Sequence, residues 1–155
     1  MRVANPNVRY PYLSDLAPIF ADNALGPVEL NISNGEGGTG DGHAITLGDR
    51  RYGKGLGVHA PSDVRYDLGG TCTAFAADIG LDAEVGQHGT AVFQVLADGA
   101  LIYDSGVLRG GMAPVPVYLA VPGVHELRLV VAPVDWVIDY AHADWADARV
   151  ACNVE

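Results

Sequence analysis

Alternation of apolar and polar residues is the feature that most constrains this chain. In the run 74–80, Phe75, Ala77 and Ile79 fall on one face, and in the run 125–132 Leu127 and Leu129 do the same. A period of two is what a half-buried β-strand requires. Such runs predict strands at 56–59, 64–68, 74–80, 91–97, 101–103, 116–121, 125–132 and 145–151. Short strands separated by frequent turn signals are typical of an antiparallel β-sandwich.

Turn residues support the same fold class. Asp98-Gly99 predicts a tight hairpin, and Pro122-Gly123 predicts a turn between two further strands. The residues before 45 look irregular, apart from a helical turn near residues 12–20. We therefore expect one all-β domain at 12–151, an antiparallel jelly-roll-like β-sandwich, with tails at 1–11 and 152–155.

The lengths of the connections predict where a binding site would lie. If the strands alternate in direction, the short connections 69–73, 98–100 and 122–124 gather at one end. The connections 60–63, 81–90, 104–115 and 133–144, three of them long, then gather at the other end. Long loops on a rigid scaffold usually carry binding residues. We expect a site at that second pole.

Composition and motifs exclude several functions. A net charge of −10 argues against a nucleic-acid partner, because phosphate binding depends on clustered Lys and Arg. The apolar run 110–124 contains three prolines and is shorter than the ~20 residues of a membrane span. Residues 35–40 match G-x-G-x-x-G, but the βαβ unit of a dinucleotide site is missing. There is no G-x-S-x-G elbow, and we expect no enzyme activity.

The two cysteines, Cys72 and Cys152, leave two alternatives open. They could form a single bridge, or they could be two buried free thiols, since free Cys often behaves as a small hydrophobe. The free-thiol interpretation is favoured, because two cysteines far apart in sequence are not a disulfide framework.

Three stretches, in order, carry a resemblance to a known family: KGLGVHAPS at 54–62, GLDAEVG at 80–86 and HADWADA at 142–148. Together they closely resemble the NPCBM domain, also called carbohydrate-binding module family 51. The resemblance implies a galactose-binding-like β-sandwich without catalytic activity. It also implies attachment to a secreted bacterial glycoside hydrolase and recognition of galactose-containing glycans. We therefore expect an extracellular module of a larger protein.

A shallow sugar site needs an aromatic face and fixed polar groups that read hydroxyl positions. Trp136, in the long loop 133–144, is the preferred stacking residue, although it could instead seal the edge of the core. Tyr140 is a second aromatic candidate, and Trp145 is expected in the core. His59, Glu84 and His142 are the candidate polar groups.

Two further expectations follow from the family pattern. Related sandwiches often hold a structural calcium, for which Asp41 and Asp144, with Asn34, are the candidate ligands. The alternative function is a structural or protein-interaction module that has lost sugar binding. It is suggested by Leu25 and Ala141, where many family members carry Trp and Asp.

Overall fold

The computed structural model describes residues 7–154, which are mostly β-structure with two short 3₁₀ turns, Leu13–Asp15 and Ala83–Val85. None of the helices among these residues is a candidate membrane span. The strands are β1 (Val8–Arg9), β2 (Phe20–Asn23), β3 (Glu29–Leu30), β4 (Ile45–Leu47), β5 (Arg50–Tyr52), β6 (Gly55–His59), β7 (Ser62–Asp67), β8 (Cys72–Leu81), β9 (Thr90–Ala97), β10 (Ala100–Arg109), β11 (Val115–Ala120), β12 (Glu126–Ala132) and β13 (His142–Asn153).

Two antiparallel sheets form the sandwich. The first sheet has the strand order β11-β8-β13-β6-β3, and β1 pairs with the last residues of β13. The second has the order β10-β9-β12-β7-β2, and β4 and β5 form a separate hairpin. The predicted all-β sandwich is confirmed, and each strand predicted from residue 56 onward is present. The prediction was wrong for 104–109, which continue β10 as strand and not as loop, and the strands before residue 55 escaped prediction.

The core lies between the sheets and follows the predicted alternation. Phe75, Leu127 and Leu129 are fully buried. Trp145 of β13 is also fully buried, as predicted. Its indole packs against Phe93 of the opposite sheet in an edge-to-face arrangement, with the ring centroids 5.1 Å apart. This indole therefore links the two sheets at the centre of the molecule.

The short connections gather at one pole, as predicted. The Leu68 N–H donates to the His125 carbonyl at 2.6 Å, and the Gly70 N–H donates to Val124 at 3.1 Å. The Asp98 side chain accepts from the His125 N–H at 3.1 Å. Asp98 and Gly99 both have positive φ, which gives the β9–β10 hairpin the tight turn expected from the sequence.

The long connections gather at the opposite pole. The Asp82 N–H donates to the His142 carbonyl at 2.9 Å, which joins the loop after β8 to the start of β13. The Gly110 N–H donates to Gly89 at 3.1 Å, which brings the loop after β10 to the same place. The pole that we expected from strand parity is therefore present, although the connection predicted at 104–115 is shortened to 110–114 by the longer β10.

Three expectations about the ends and the cysteines need correction. Val8 pairs with Asn153 and Arg9 with Cys152, so the folded unit extends beyond 12–151 on both sides. Residues 1–6 and 155 of the predicted tails lie outside the described residues. Cys72 and Cys152 form a disulfide, so the favoured free-thiol interpretation was wrong. The two cysteines are direct cross-strand partners on β8 and β13, a proximity that sequence separation could not show.

Candidate functional site

An open pocket of about 480 Å³ lies at the pole of the long loops. Its centre is a cross-strand pair, because His59 ends β6, His142 begins β13, and the two are paired in register. Their rings are 5.0 Å apart and nearly perpendicular. The pocket is lined by Leu25, Glu36, His59, Ile138, Asp139, Tyr140 and His142. Of the predicted sugar-site residues, His59, Tyr140 and His142 therefore line one cavity.

His59 presents a hydrogen-bond acceptor to this pocket. The residue is fully buried, and its Nδ1 lies 2.8 Å from the Ala60 carbonyl oxygen, which can only accept. Nδ1 therefore carries the proton and Nε2 carries the lone pair. Burial lowers the pKa of His59, and the charge of His142 adds to the effect, against the opposing influence of the Ala60 carbonyl and Glu36. The ring is neutral, and Nε2 has no hydrogen-bond partner within the described chain.

His142, unlike His59, is held in its charged form by neighbouring acceptors. Its Nδ1 lies 2.9 Å from Oε1 of Glu84 and 2.7 Å from the Asn34 carbonyl, and its Nε2 lies 2.9 Å from Oε1 of Glu36. The hydrogen bond to Glu84 is the main cause that raises the pKa of His142 to about 9, against the opposing effect of burial. His142 is therefore an imidazolium at neutral pH, and both of its N–H groups donate.

Glu36 is a pocket-lining residue that sequence analysis missed. It lies in the glycine-dense stretch at 34–42, where only Asn34 and Asp41 are predicted ligands and the motif at 35–40 is excluded as a nucleotide site. Here the Asn34 side chain accepts from the Glu36 N–H at 2.9 Å and donates to the Leu25 carbonyl at 2.9 Å. Buried Asn34 thereby fixes Glu36 and Leu25 on the same rim of the pocket. Glu36 has a φ of 70°, a strained backbone conformation of the kind that often occurs at ligand sites.

Glu84 lies behind His142 and is not among the lining residues. It sits in the second 3₁₀ turn, which is capped by the Asp82 side chain accepting from the Glu84 N–H at 3.0 Å. The second carboxylate oxygen of Glu84 accepts from the Ser33 hydroxyl at 3.1 Å. The contacts of Glu84 therefore position and charge His142. Its direct contact with a sugar stays a prediction.

The two predicted aromatic platforms occupy different places. Tyr140 lines the pocket and stacks on His88, with the ring centroids 4.8 Å apart. Trp136 is 91% exposed on the same loop, outside the lining of the pocket. It does not seal the core, so that alternative was wrong. Stacking of Trp136 on a sugar stays a prediction, and Tyr140 is the aromatic side chain already at the cavity wall.

The two predicted calcium ligands differ in environment. Asp41 is exposed, and its carboxylate accepts from the Gly37 N–H at 2.7 Å, closing its own loop. Asp144 is fully buried, and neither of its carboxylate oxygens has a hydrogen-bond partner within residues 7–154. Burial raises the pKa of Asp144 well above its ordinary value, and the neighbouring carboxylates of Asp82 and Glu84 add to this effect.

These environments decide how well a cation would fit. A hydrogen bond between Asp144 and Asp82 forms only when one of them carries a proton. Both the proton and a calcium ion would satisfy the buried oxygens of Asp144. The side chain of Asn34 is already bonded to Glu36 and Leu25. Calcium at Asp41 and Asp144 therefore stays a prediction.

The fold is that of a β-sandwich module with an open pocket at the pole of the long loops. A model of the NPCBM/NEW2 domain matches residues 9–151, and the chain therefore belongs to that family. It is a carbohydrate-binding module of the family 51 type and is not catalytic.

Two relatives show the kind of protein that carries such a module. One, from Renibacterium salmoninarum, is named "Putative endo-alpha-N-acetylgalactosaminidase" and is 40% identical over 149 residues, which are 96% of this chain. Another, alpha-1,3-galactosidase B of Akkermansia muciniphila, is 31% identical over 116 residues, which are 66% of this chain. The chain spans only 10% and 13% of the length of these two curated relatives.

Two solved structures are similar along nearly the whole chain. The family 51 module of a Clostridium perfringens GH95 enzyme, in complex with methyl-galactose, has a TM-score of 0.83 and 28% identity, covering 92% of this chain and 99% of that one. A second C. perfringens module, from ZmpB with GlcNAc, has a TM-score of 0.85 and 27% identity, covering 95% of this chain and 32% of that one.

Proposed function

We propose that the pocket around His59, His142 and Glu36 binds a terminal galactose-type residue of a glycan. The observation that carries the proposal is the set of fixed polar groups at the pocket wall. Nε2 of neutral His59 accepts from a hydroxyl, and Glu36 offers a carboxylate whose side chain is 46% exposed. Hydrogen bonds to ionised groups contribute about 1.5–3 kcal/mol, which is enough to discriminate one hydroxyl orientation.

The walls of the pocket supply apolar contacts for the sugar ring. Tyr140 and Ile138 lie on one loop, and Leu25 comes from the segment after β2. An aromatic face packs against the C–H patch of a pyranose, as in other π contacts. The pocket is open and wet, so we expect an affinity for a single sugar of roughly mM to µM, or about −4 to −8 kcal/mol.

The ligands of the relatives support galactose as the first sugar to test. The similar GH95 module binds methyl-galactose, and one relative is named as a galactosidase. The second similar module is in complex with GlcNAc, so a GlcNAc glycoside belongs in the same experiment.

The module is proposed to tether a glycoside hydrolase in the same parent chain to its substrate. Two relatives support this, since the matched stretch is 10% of a protein named as an endo-alpha-N-acetylgalactosaminidase and 13% of one named as an alpha-1,3-galactosidase. The Cys72–Cys152 disulfide supports an extracellular location, because such bonds persist in oxidising compartments.

The test is calorimetric titration with methyl-galactoside, methyl-glucoside and a GlcNAc glycoside, followed by a glycan array with and without a chelator. We expect binding of the galactoside and a loss of at least tenfold in Glu36→Gln. Glu126→Gln, on the far sheet, serves as the matched control. A blank array with a folded protein would refute the proposal and favour the protein-interaction alternative.

A further inference from the structure

Three metal-ligating atoms converge at the floor of the pocket. They are Nε2 of His59, Nε2 of His142 and a carboxylate oxygen of Glu36, and all lie within 4.8 Å of one another. Oε1 of Glu36 is 3.4 Å from the first nitrogen and 2.9 Å from the second. Ligands about 2.0–2.1 Å from a tetrahedral zinc ion are themselves roughly 3.3 Å apart. Two of the three separations, those from Glu36 Oε1 to the histidine nitrogens, are therefore close to the spacing of a tetrahedral metal site, and the third is at most 4.8 Å.

Each histidine is oriented through its other nitrogen. Nδ1 of His59 donates to the Ala60 carbonyl at 2.8 Å, which leaves Nε2 as the ligating atom. Nδ1 of His142 faces the Glu84 carboxylate at 2.9 Å and the Asn34 carbonyl at 2.7 Å. A carboxylate or carbonyl behind each metal-binding histidine is the usual outer arrangement of such sites. Both histidines have this partner here, and they come from two different strands.

One ligand atom is buried and has no hydrogen-bond partner among residues 7–154. Nε2 of His59 is buried and makes no hydrogen bond among the described residues, although it faces Glu36 and the cavity. A buried nitrogen lone pair without a donor costs free energy unless something occupies the position opposite it. Unprotonated, it cannot bond to the carboxylate of Glu36, since both groups only accept. A cation between them would satisfy both.

The donor set selects the kind of metal. Two imidazoles and one carboxylate suit Zn²⁺ and similar transition ions, whereas calcium and magnesium prefer oxygen ligands only. Three protein ligands with an open fourth position are the pattern of accessible zinc sites. The fourth position here faces the pocket, where a water or a ligand hydroxyl can enter.

We propose that His59, His142 and Glu36 bind one Zn²⁺ ion, with its open coordination position directed into the pocket. The ion takes the place of the proton that His142 shares with Glu36, and that proton is released to solvent. The site is distinct from the predicted calcium position at Asp144. Zn²⁺ and a sugar hydroxyl would both need the single lone pair of His59 Nε2, so the metal competes with direct hydroxyl acceptance at that atom.

The test is calorimetric titration of Zn²⁺ into chelator-treated, desalted protein, with Co²⁺ absorption as a measure of tetrahedral coordination. We expect one ion per chain and a loss of affinity of about 100-fold in Glu36→Gln and His142→Gln. Glu84→Gln should lose about tenfold, as outer partners of zinc ligands do. Thermal melts of each variant show whether it is folded.

Surface histidines provide the control. A variant with His43 and His125 both changed to Gln keeps the three proposed ligands and should bind Zn²⁺ as the parent does. Loss of binding in that variant, or equal binding by Glu36→Gln, would overturn the proposal, as would absence of binding in the parent. Galactoside titration in chelator tests the sugar pocket alone, so failure of one proposal is distinguishable from failure of the other.

Discussion

Oε1 of Glu84 lies 2.9 Å from Nδ1 of His142, although the two residues are 58 positions apart in sequence. The contact joins the 3₁₀ turn after β8 to the first residue of β13. Glu84 is also held by Ser33, so its carboxylate has little freedom. It gives His142 both its charge and its orientation, and it does so from behind the pocket.

Glu84→Gln should lower the pKa of His142 from about 9 towards its ordinary value, because the largest stabilising contact of the imidazolium loses its charge. NMR titration of the His142 ring measures this shift. Sugar affinity should fall several-fold while the fold is retained. An unchanged titration in Glu84→Gln would show that the contact does not set the charge of the ring.

The two tryptophans should respond oppositely to truncation. Trp145→Ala removes a fully buried indole and should destabilise the protein by about 3–5 kcal/mol. Trp136→Ala removes a side chain that is 91% exposed and should leave the melting temperature nearly unchanged. Denaturant unfolding of the two variants compares them directly. A large loss of stability in Trp136→Ala would contradict the exposed position.

Removal of the disulfide should cost roughly 2–5 kcal/mol, because the bond closes a long loop between residues 80 positions apart. The double variant Cys72→Ala/Cys152→Ala should therefore unfold at a lower temperature than the parent. A reducing agent should lower the melting temperature of the parent and leave the double variant unchanged. Equal sensitivity of both proteins would mean that the agent acts elsewhere.

Asp63 should make stability depend on pH on the acid side. Burial alone would raise its pKa, but hydrogen bonds from Arg65 and Arg128 outweigh that effect and the pKa is lowered. The contribution of Asp63 is therefore full above the ordinary aspartate pKa of 3.8 and is lost as pH falls through the lower folded value.

Asp63→Asn tests this dependence. The substitution should cost about 1–3 kcal/mol at pH 7, since the two arginines lose a charged acceptor. The difference in unfolding free energy between parent and variant should shrink in acid. Asp67→Asn, four residues further along β7 and exposed, is the matched control. A difference that stays constant below pH 4 would exclude Asp63 as the titrating group.

Sequence alone predicted the sandwich because its core strands alternate strictly. Leu127, Leu129 and Phe75 are buried as the period of two requires. Strand parity also placed the long loops at one pole, since each antiparallel connection reverses the chain. The family motifs brought His59 and His142 into the predicted site, and these two residues are now seen as a registered pair.

Other parts of the site carry no periodic signal. Glu36 lies in a stretch without alternation. Its position depends on buried Asn34, whose side chain accepts from the Glu36 N–H and donates to the Leu25 carbonyl, 9 residues earlier in the chain. Contacts of that kind depend on the folded path of a loop. The glycines were the available sign that this loop packs on β6. Gly57 of β6 has no room for a side chain beside the Ile32 carbonyl. That close approach indicates that residues 31–36 pack on the strand ending at His59.

The pairing of β1 with the end of β13 determines where Val8 and Asn153 lie relative to the pocket. β13 begins at the pocket with His142 and runs for 12 residues to Asn153, which lies beside Val8. At about 3.3 Å per residue, Val8 and Asn153 stand roughly 35 Å from the pocket. The β1–β13 pairing therefore keeps both of these residues at the pole opposite the pocket, away from any ligand bound there.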